Sequence, residues 1–381
     1  MIKSQRHLFD IPEHIAYFNC AYYSPLLKES TRRLHVGVDS KSHPWERTPA
    51  NFFDDAETVR QLCADLFGGG ADGFAVVPSA SYAINTAARV IEPRLTKEDR
   101  ILVMDEDFPS VVLPMKRIAQ EKGAKLVTVK KPEHGDWTQA IKEGLDNNVK
   151  VVAISSCHWT NGAYIDLLEI RKACDEIDSI LIVDATQMLG AMPFSIDKIR
   201  PDFLIAAGYK WLLGPYGFTL FYVAEKWRHS RPLEEAWQAR EKAEDFAGLV
   251  KYSDVYMRGS RRFDGGEKCT PTILPGAIAA LEQVKKWGIE EIANSLSLFN
   301  DNIVSHLLKL GFKLPDQKQR CPHMFGATIP INYMGNLVNE LKERKIYVSQ
   351  RGNAIRFSPH LYNDDADVDR LQNALHEIIR I

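Results

Sequence analysis

Short apolar runs alternate along the chain with longer stretches in which apolar and charged residues recur at helical spacing. Seven runs are separate and well bounded: 73–78 (GFAVVP), 100–104 (RILVM), 124–129 (AKLVTV), 149–155 (VKVVAIS), 180–186 (ILIVDAT), 202–207 (DFLIAA) and 217–223 (GFTLFYV). They are rich in apolar and β-branched residues without strict alternation, the mark of strands buried on both faces. Amphipathic stretches lie between several of them, among them 82–91, 114–122 and 167–177. Strand and helix in turn predict an α/β fold around a mainly parallel sheet of seven strands.

From about residue 225 the pattern changes. Residues 236–247 are polar and charged and read as a surface helix or linker. Helical spacing then covers 274–287 and 289–310, strand-like pieces cover 327–331 and 354–357, and a final helix covers 365–379. This predicts a smaller α+β domain. The expected division is a large domain over 20–245 and a small one made of 1–19 and 246–381.

The chain's 381 residues suffice for that core, and 45% hydrophobic with 26% charged residues is ordinary for a soluble globular protein. A formal net charge of −2 argues against wholesale binding to nucleic acid or an anionic membrane. The six cysteines, Cys20, Cys63, Cys157, Cys174, Cys269 and Cys321, include no C-x-x-C pair. They predict no metal site, and they read as the reduced thiols of a cytoplasmic protein. The opening MIKSQRHLFDIPEH is polar and mixed in charge, unlike a signal peptide. The most apolar segment, 203–224, has an uncharged part of only 14 residues, too short to span a bilayer.

The chemistry concentrates at Asp184 and Lys210. Asp184 ends the run ILIVD, and Lys210 follows the next run, DFLIAA, in GYKWLLGPYG. Singly, the acid reads equally as a helix cap and the lysine as a solvated side chain. Together, two successive strands deliver an acid and an amine to one edge of a sheet, where open α/β sheets bind their ligands. Pyridoxal phosphate requires that pair: an amine to form an imine and an anion to keep the pyridine nitrogen protonated. Beside Tyr209, Trp211 and Leu212 the amine would be partly desolvated and its pKa lowered. A phosphate site fits VVPSASYAIN, where a strand gives way to a helix start bearing Ser79 and Ser81; the other reading is a plain cap. The literal G-x-G-x-x-G at 68–73 follows a helical stretch and precedes a strand, the reverse of a dinucleotide site, and reads as a helix stop.

With VDATQMLG, GYKWLLGPYG and IRFSPHLYND in this order, the chain resembles the class V aminotransferase and cysteine desulfurase-like family of fold-type I pyridoxal-phosphate enzymes over nearly its whole length. The resemblance implies that Lys210 carries the Schiff base, Asp184 pairs with the pyridine nitrogen and Gln187 contacts the ring oxygen. It puts Ala80, Ser81 and Tyr209 at the phosphate, and Phe108, in DEDFPSVVLP, on the ring face. Arg356 matches the arginine that grips the substrate carboxylate, Asn19 a residue of the substrate mouth, and Thr160 and Asn161 a cofactor loop. His158 reads equally as a supporting residue and as a packed core histidine. The resemblance further implies a homodimer, with 261–271 (RRFDGGEKCTP) reaching across to the partner's phosphate and Glu267 where a threonine is common.

Two departures narrow the reading. No cysteine lies between Cys321 and the C-terminus, where desulfurases of the family carry a mobile one, and Ala207 stands where many members have a phosphate-binding serine. The leading expectation is therefore an aminotransferase-like enzyme acting at the α-carbon of an amino acid. A C–S β-lyase or an epimerase is the alternative, and a cysteine desulfurase is disfavoured. A nicotinamide-dependent dehydrogenase and a non-catalytic protein on this scaffold remain as readings from other classes.

Overall fold

A computed structural model describes residues 1–133 and 135–379. Its strands, in chain order, are β1 (Ala16–Tyr17), β2 (Phe74–Val77), β3 (Arg100–Met104), β4 (Lys125–Val129), β5 (Val149–Ser155), β6 (Ile180–Asp184), β7 (Phe203–Ala207), β8 (Thr219–Val223), β9 (Phe325–Thr328), β10 (Ile346–Tyr347), β11 (Ser349–Arg351) and β12 (Ala354–Phe357). Seven of them, β2 to β8, form one sheet in the order β2-β8-β7-β6-β5-β3-β4. Only β8 runs against the rest, so the sheet is mainly parallel, as the seven apolar runs predict.

Neighbouring residues on these strands face opposite layers, and both layers are buried. Leu181, Val183, Leu204 and Ala206 pack with the helices Asp54–Phe67, Leu167–Glu176 and Leu274–Trp287. Ile180, Ile182, Phe203 and Ile205 pack with the helices Ala80–Ile91 and Pro109–Lys122. Burial on both sides explains why these strands read as unbroken apolar runs.

Beyond the sheet, β9, β11 and β12 form an antiparallel sheet in the order β11-β12-β9, and β1 pairs with β10. A separate core gathers Ala16 and Phe18 from the N-terminal segment with Phe325, Ile355 and Phe357. That segment continues through hydrogen bonds with Tyr347 and Ser358 and reaches the large sheet at Cys20 and Ala21.

Some elements differ from the sequence expectation. The strand expected at 327–331 is Phe325–Thr328, because its register pairs Gly326 with Arg356 and because Pro330 lacks the N–H to continue it. The helix expected from Pro114 begins at Pro109, with Pro114 accommodated inside it. Residues 236–247 hold the short turn Trp237–Ala239, so the stretch is a linker rather than a helix. Gly68 ends the helix Asp54–Phe67 at φ 79°, the stop the glycine run suggests.

Behind β2, Asp264 is buried with Arg60 and Lys268, at 2.6 and 2.8 Å, and accepts the Val76 N–H at 2.9 Å. This locks 260–268 against the strand that leads into the helix Ala80–Ile91.

Candidate active site

The carboxyl ends of β2, β3, β5, β6 and β7 open on one cavity of about 220 Å³. Asp184, the last residue of β6, and Lys210, three residues past β7, both line it. No ion pair joins them, although each bears on the other's charge, so they face the same space without filling it.

Lys210 is 7% exposed. Burial lowers its amine from 10.5 to about 8; Asp184 pulls upward, and Arg356 and Arg351 add to the fall. A substantial share of the amine is thus neutral at mildly alkaline pH. Its Nζ lies 5.5 Å from the Phe108 ring centroid and 5.6 Å from that of Tyr209. Burial raises the Asp184 carboxyl above its ordinary value, against the bonds from Thr186 and the charge of Lys210. The Thr186 N–H donates to Asp184 Oδ1 at 2.9 Å, while the Thr186 hydroxyl accepts the Ala207 N–H at 3.0 Å and ties the acid's strand to the lysine's.

Gln187 holds its amide in place on both sides. Its Oε1 accepts from Trp211 Nε1 at 2.8 Å and its Nε2 donates to Ala21 O at 3.2 Å, leaving one amide N–H. The turn behind it depends on Gly190, at φ 96°, where a Cβ would meet Trp211 O at 2.4 Å.

At the other end of the cavity stands the start of the helix Ala80–Ile91. Ser79 caps it by accepting the Tyr82 N–H at 3.1 Å, and the N–H groups of Ala80 and Ser81 belong to its open first turn. The Ser81 and Ser110 hydroxyls meet at 2.7 Å, and Thr219 lines the same end. Two N–H groups, hydroxyls and a helix terminus together make an anion site.

Phe108, Trp159, Tyr209 and Tyr216 wall the cavity. Phe108 and Trp159 meet edge to face at 5.5 Å. Below them Asp107 is buried, accepts from the Phe108 N–H and the Ser155 N–H, and bonds the Ser155 hydroxyl; burial lifts it to about 6. The sequence did not point to Ser155, Ser110, Thr219 or Trp159. Ser110 stands two residues past Phe108 in the same DEDFPSVVLP motif and Trp159 directly between His158 and Thr160, while Ser155 and Thr219 sit inside the apolar runs 149–155 and 217–223, where nothing marks them as facing a site.

Arg356, on β12, is 1% exposed. Its Nη1 donates to the Trp159 carbonyl at 2.6 Å, while its Nε and Nη2 are buried without a partner among the described residues. Burial, and next the like charge of Arg351, push it well below the ordinary arginine value. Asn19 lies alongside: its Oδ1 accepts from the hydroxyl of Ser349, the residue opposite Arg356 in the hairpin, at 2.6 Å.

Two residues of the cofactor loop stand apart from the cavity. Asn161 Oδ1 accepts the Ala163 N–H at 3.1 Å and its carbonyl accepts the Gly326 N–H at 2.8 Å, so it shapes the loop that carries Trp159. His158 bonds Thr160 Oγ1 and Asp105 O and stacks on Trp137 at 4.9 Å, the packed histidine of the two readings.

A mainly parallel sheet with acid, amine and anion site at its carboxyl edge defines a fold-type I pyridoxal-phosphate enzyme. The sequence pattern of the class V aminotransferases matches residues 46–371. The chain belongs to that family. It is similar to an uncharacterized aminotransferase of Bacillus subtilis, 25% identical over 99% of this chain and 97% of that one. It is also similar to a probable cysteine desulfurase of Pyrococcus abyssi, 24% identical over 85% and 83%. Among solved structures, a cystine C–S lyase in complex with cysteine persulfide superposes with a TM-score of 0.86 at 18% identity, covering 96% of this chain and 98% of the other.

The residues present fit the family's cofactor: a buried amine and a buried acid share one cavity, and an anion site closes its far end. Among the described residues no helix is long and apolar enough to cross a membrane.

Proposed function

We propose that this chain acts at the α-carbon of an amino acid in the manner of an aminotransferase. Pyridoxal phosphate, when bound, joins the amine of an amino acid and draws electrons from its α-carbon. Lys210 is the residue that carries the cofactor and afterwards takes and returns the α-proton, a role suited to an amine lowered to about 8. Of the cavity's lining residues, Asp184 would hold the ring nitrogen, Gln187 would offer its remaining N–H to the ring oxygen, and Phe108 would cover the ring. Ala80, Ser81 and Tyr209 would hold the phosphate, together with Ser110 and Thr219. Asn161 contributes through the loop that places Trp159. Arg356 holds the substrate carboxylate, with Asn19 beside it.

The observation that carries this reading is the buried guanidinium of Arg356, two of whose nitrogens have no partner among the described residues. A buried charge left unpaired is costly, and a carboxylate offers the bidentate partner that the fork lacks.

The cysteines argue against a persulfide-forming desulfurase. All six are free and buried, and burial pushes the thiols of Cys20, Cys63, Cys174, Cys269 and Cys321 upward, away from the thiolate. Reduced cysteines also suit a cytoplasmic protein. The exposed Tyr23 and Tyr216, whose rings meet that of Tyr209 in the cavity wall, support a homodimer. The separate core around Phe18 and Phe357 supports division into 20–245 and 1–19 with 246–381, although the helix Leu274–Trp287 packs back onto the large sheet.

Purified protein is expected to show a visible cofactor band that Lys210→Ala abolishes. An amino-acid panel then separates the outcomes: a 2-oxo acid with amino transfer supports the proposal, pyruvate with ammonia indicates a β-lyase, and inversion without release indicates an epimerase. A band that survives Lys210→Ala unchanged refutes the assignment of the lysine.

A further inference from the structure

The hairpin β11–β12 carries a second arginine. Ser349 pairs with Arg356 and Arg351 with Ala354, so Arg351 and Arg356 project from one face as diagonal neighbours. Both converge on Trp159 in the cavity wall. Arg356 bonds its carbonyl at 2.6 Å, and the Arg351 guanidinium carbon lies 5.3 Å from its ring centroid. Among the described residues the buried Nε of Arg351 has no partner, like Nε and Nη2 of Arg356, while Arg351 Nη1 donates to the Gln350 carbonyl at 2.7 Å. Besides burial, the largest influences on their charges among the described residues are Tyr22 for Arg351, and Arg351, Cys157, Cys20 and Tyr17 for Arg356, with no carboxylate among these. Both arginines also bear on Lys210, which is lowered by each. Arg351 and Arg356 thus stand behind Trp159 in the cavity wall, outside the lining itself, and their charges still reach Lys210; against them Asp184 and, less, Cys20 act to raise it.

An α-carboxylate satisfies one guanidinium. A substrate with a single acid group leaves the other half-buried, stacked on an aromatic face and unpaired. We propose that Arg351 is a specificity residue that selects amino acids with an acidic side chain, of the dicarboxylic kind, Arg356 taking the α-carboxylate and Arg351 the distal acid. This rests on the assignment of Arg356 to the α-carboxylate and names the substrate class for it. The geometry suits two acid groups on one molecule, since the two forks share a face, a diagonal step apart, and Trp159 holds both without neutralising either.

The test is a titration of the purified holoenzyme with succinate, glutarate and butyrate, following tryptophan fluorescence and the visible cofactor band. One of the two dicarboxylates should bind about tenfold or more tightly than butyrate, the margin of one further charge-assisted pair. R351Q and R351M should bring the dicarboxylate to within about threefold of butyrate, and R351K should keep part of the margin, since it retains charge but not the fork. In turnover, the ratio of kcat/KM for glutamate or aspartate over that for norvaline should fall by about tenfold or more in R351Q. Equal binding of butyrate and both dicarboxylates to the unmodified enzyme overturns the proposal, as does a margin that survives R351Q and R351M. If butyrate still perturbs the band and R356Q removes that effect, only the acidic specificity falls. If no carboxylate perturbs the band at all, the reading of Arg356 falls with it.

Discussion

Replacing Lys210 by methionine removes a charge that the fold buries at a loss, and the loss can be worked out. In the unfolded chain the amine titrates near 10.5; in the fold burial brings it to about 8. Below the folded value both states carry the proton, and the fold bears the whole penalty. Between the two values the folded amine is neutral while the unfolded one still binds a proton, so stability rises with pH. Above 10.5 the penalty is gone. At about 1.4 kcal/mol per pH unit, that interval is worth about 3 kcal/mol at neutral pH. With unfolding entropy near 2.1 cal/mol/K per residue, a chain of this size should gain about 4 °C in melting temperature. Methionine suits the substitution because it keeps an unbranched, flexible chain of similar bulk. The assay is the thermal melting of cofactor-free protein, original and K210M, at neutral pH and again above pH 10.5. K210M should melt higher at neutral pH, and the difference should close with rising pH. A variant that melts at or below the original at neutral pH, or a difference that ignores pH, refutes the reasoning.

Two further predictions concern the supports of the site. Ser81→Ala should weaken cofactor binding about five- to tenfold by equilibrium dialysis, the worth of one hydroxyl at an anion; unchanged retention would count against a phosphate at that helix start. Asp264→Ala takes from Arg60 and Lys268 the buried carboxylate they share, leaving Arg60 the part-exposed Glu57 at 3.0 Å and Lys268 the Gln238 carbonyl at 3.2 Å, and should cost about 3 kcal/mol, read from the urea midpoint. Burial works to raise Asp264, but Arg60 and Lys268 overcome it and hold the acid below 3.8, so its contribution is present above that pH and lost as pH falls through the lower folded value. A midpoint shift in acid as large as at neutrality would refute that assignment.

All seven strands of the large sheet were legible because burial on both faces left unbroken apolar runs, and the acid and the amine could be placed because Asp184 ends one such run and Lys210 follows the next. The helix Lys28–Ser40 was not legible: only Ser30 and Gly37 are buried in it, so it shows no apolar stripe. Asp107 was hidden because nothing in DEDFPS shows that its carboxylate turns inward to Ser155, 48 residues on. Trp159 was hidden because its wall depends on a loop shaped by Asn161 and on an arginine 197 residues away. Arg351 lies one strand from Arg356, and only the hairpin register puts the two on one face.

The path of the N-terminal segment ties the two sheets into one working unit. Residues 16–20 lie against the strands next to Arg356, and the next residue, Ala21, takes a hydrogen bond from Gln187. A protease cut or a badly chosen fusion junction near residue 20 would therefore loosen the substrate arginine and the cofactor pocket together, leaving a protein that keeps its large core and loses its chemistry.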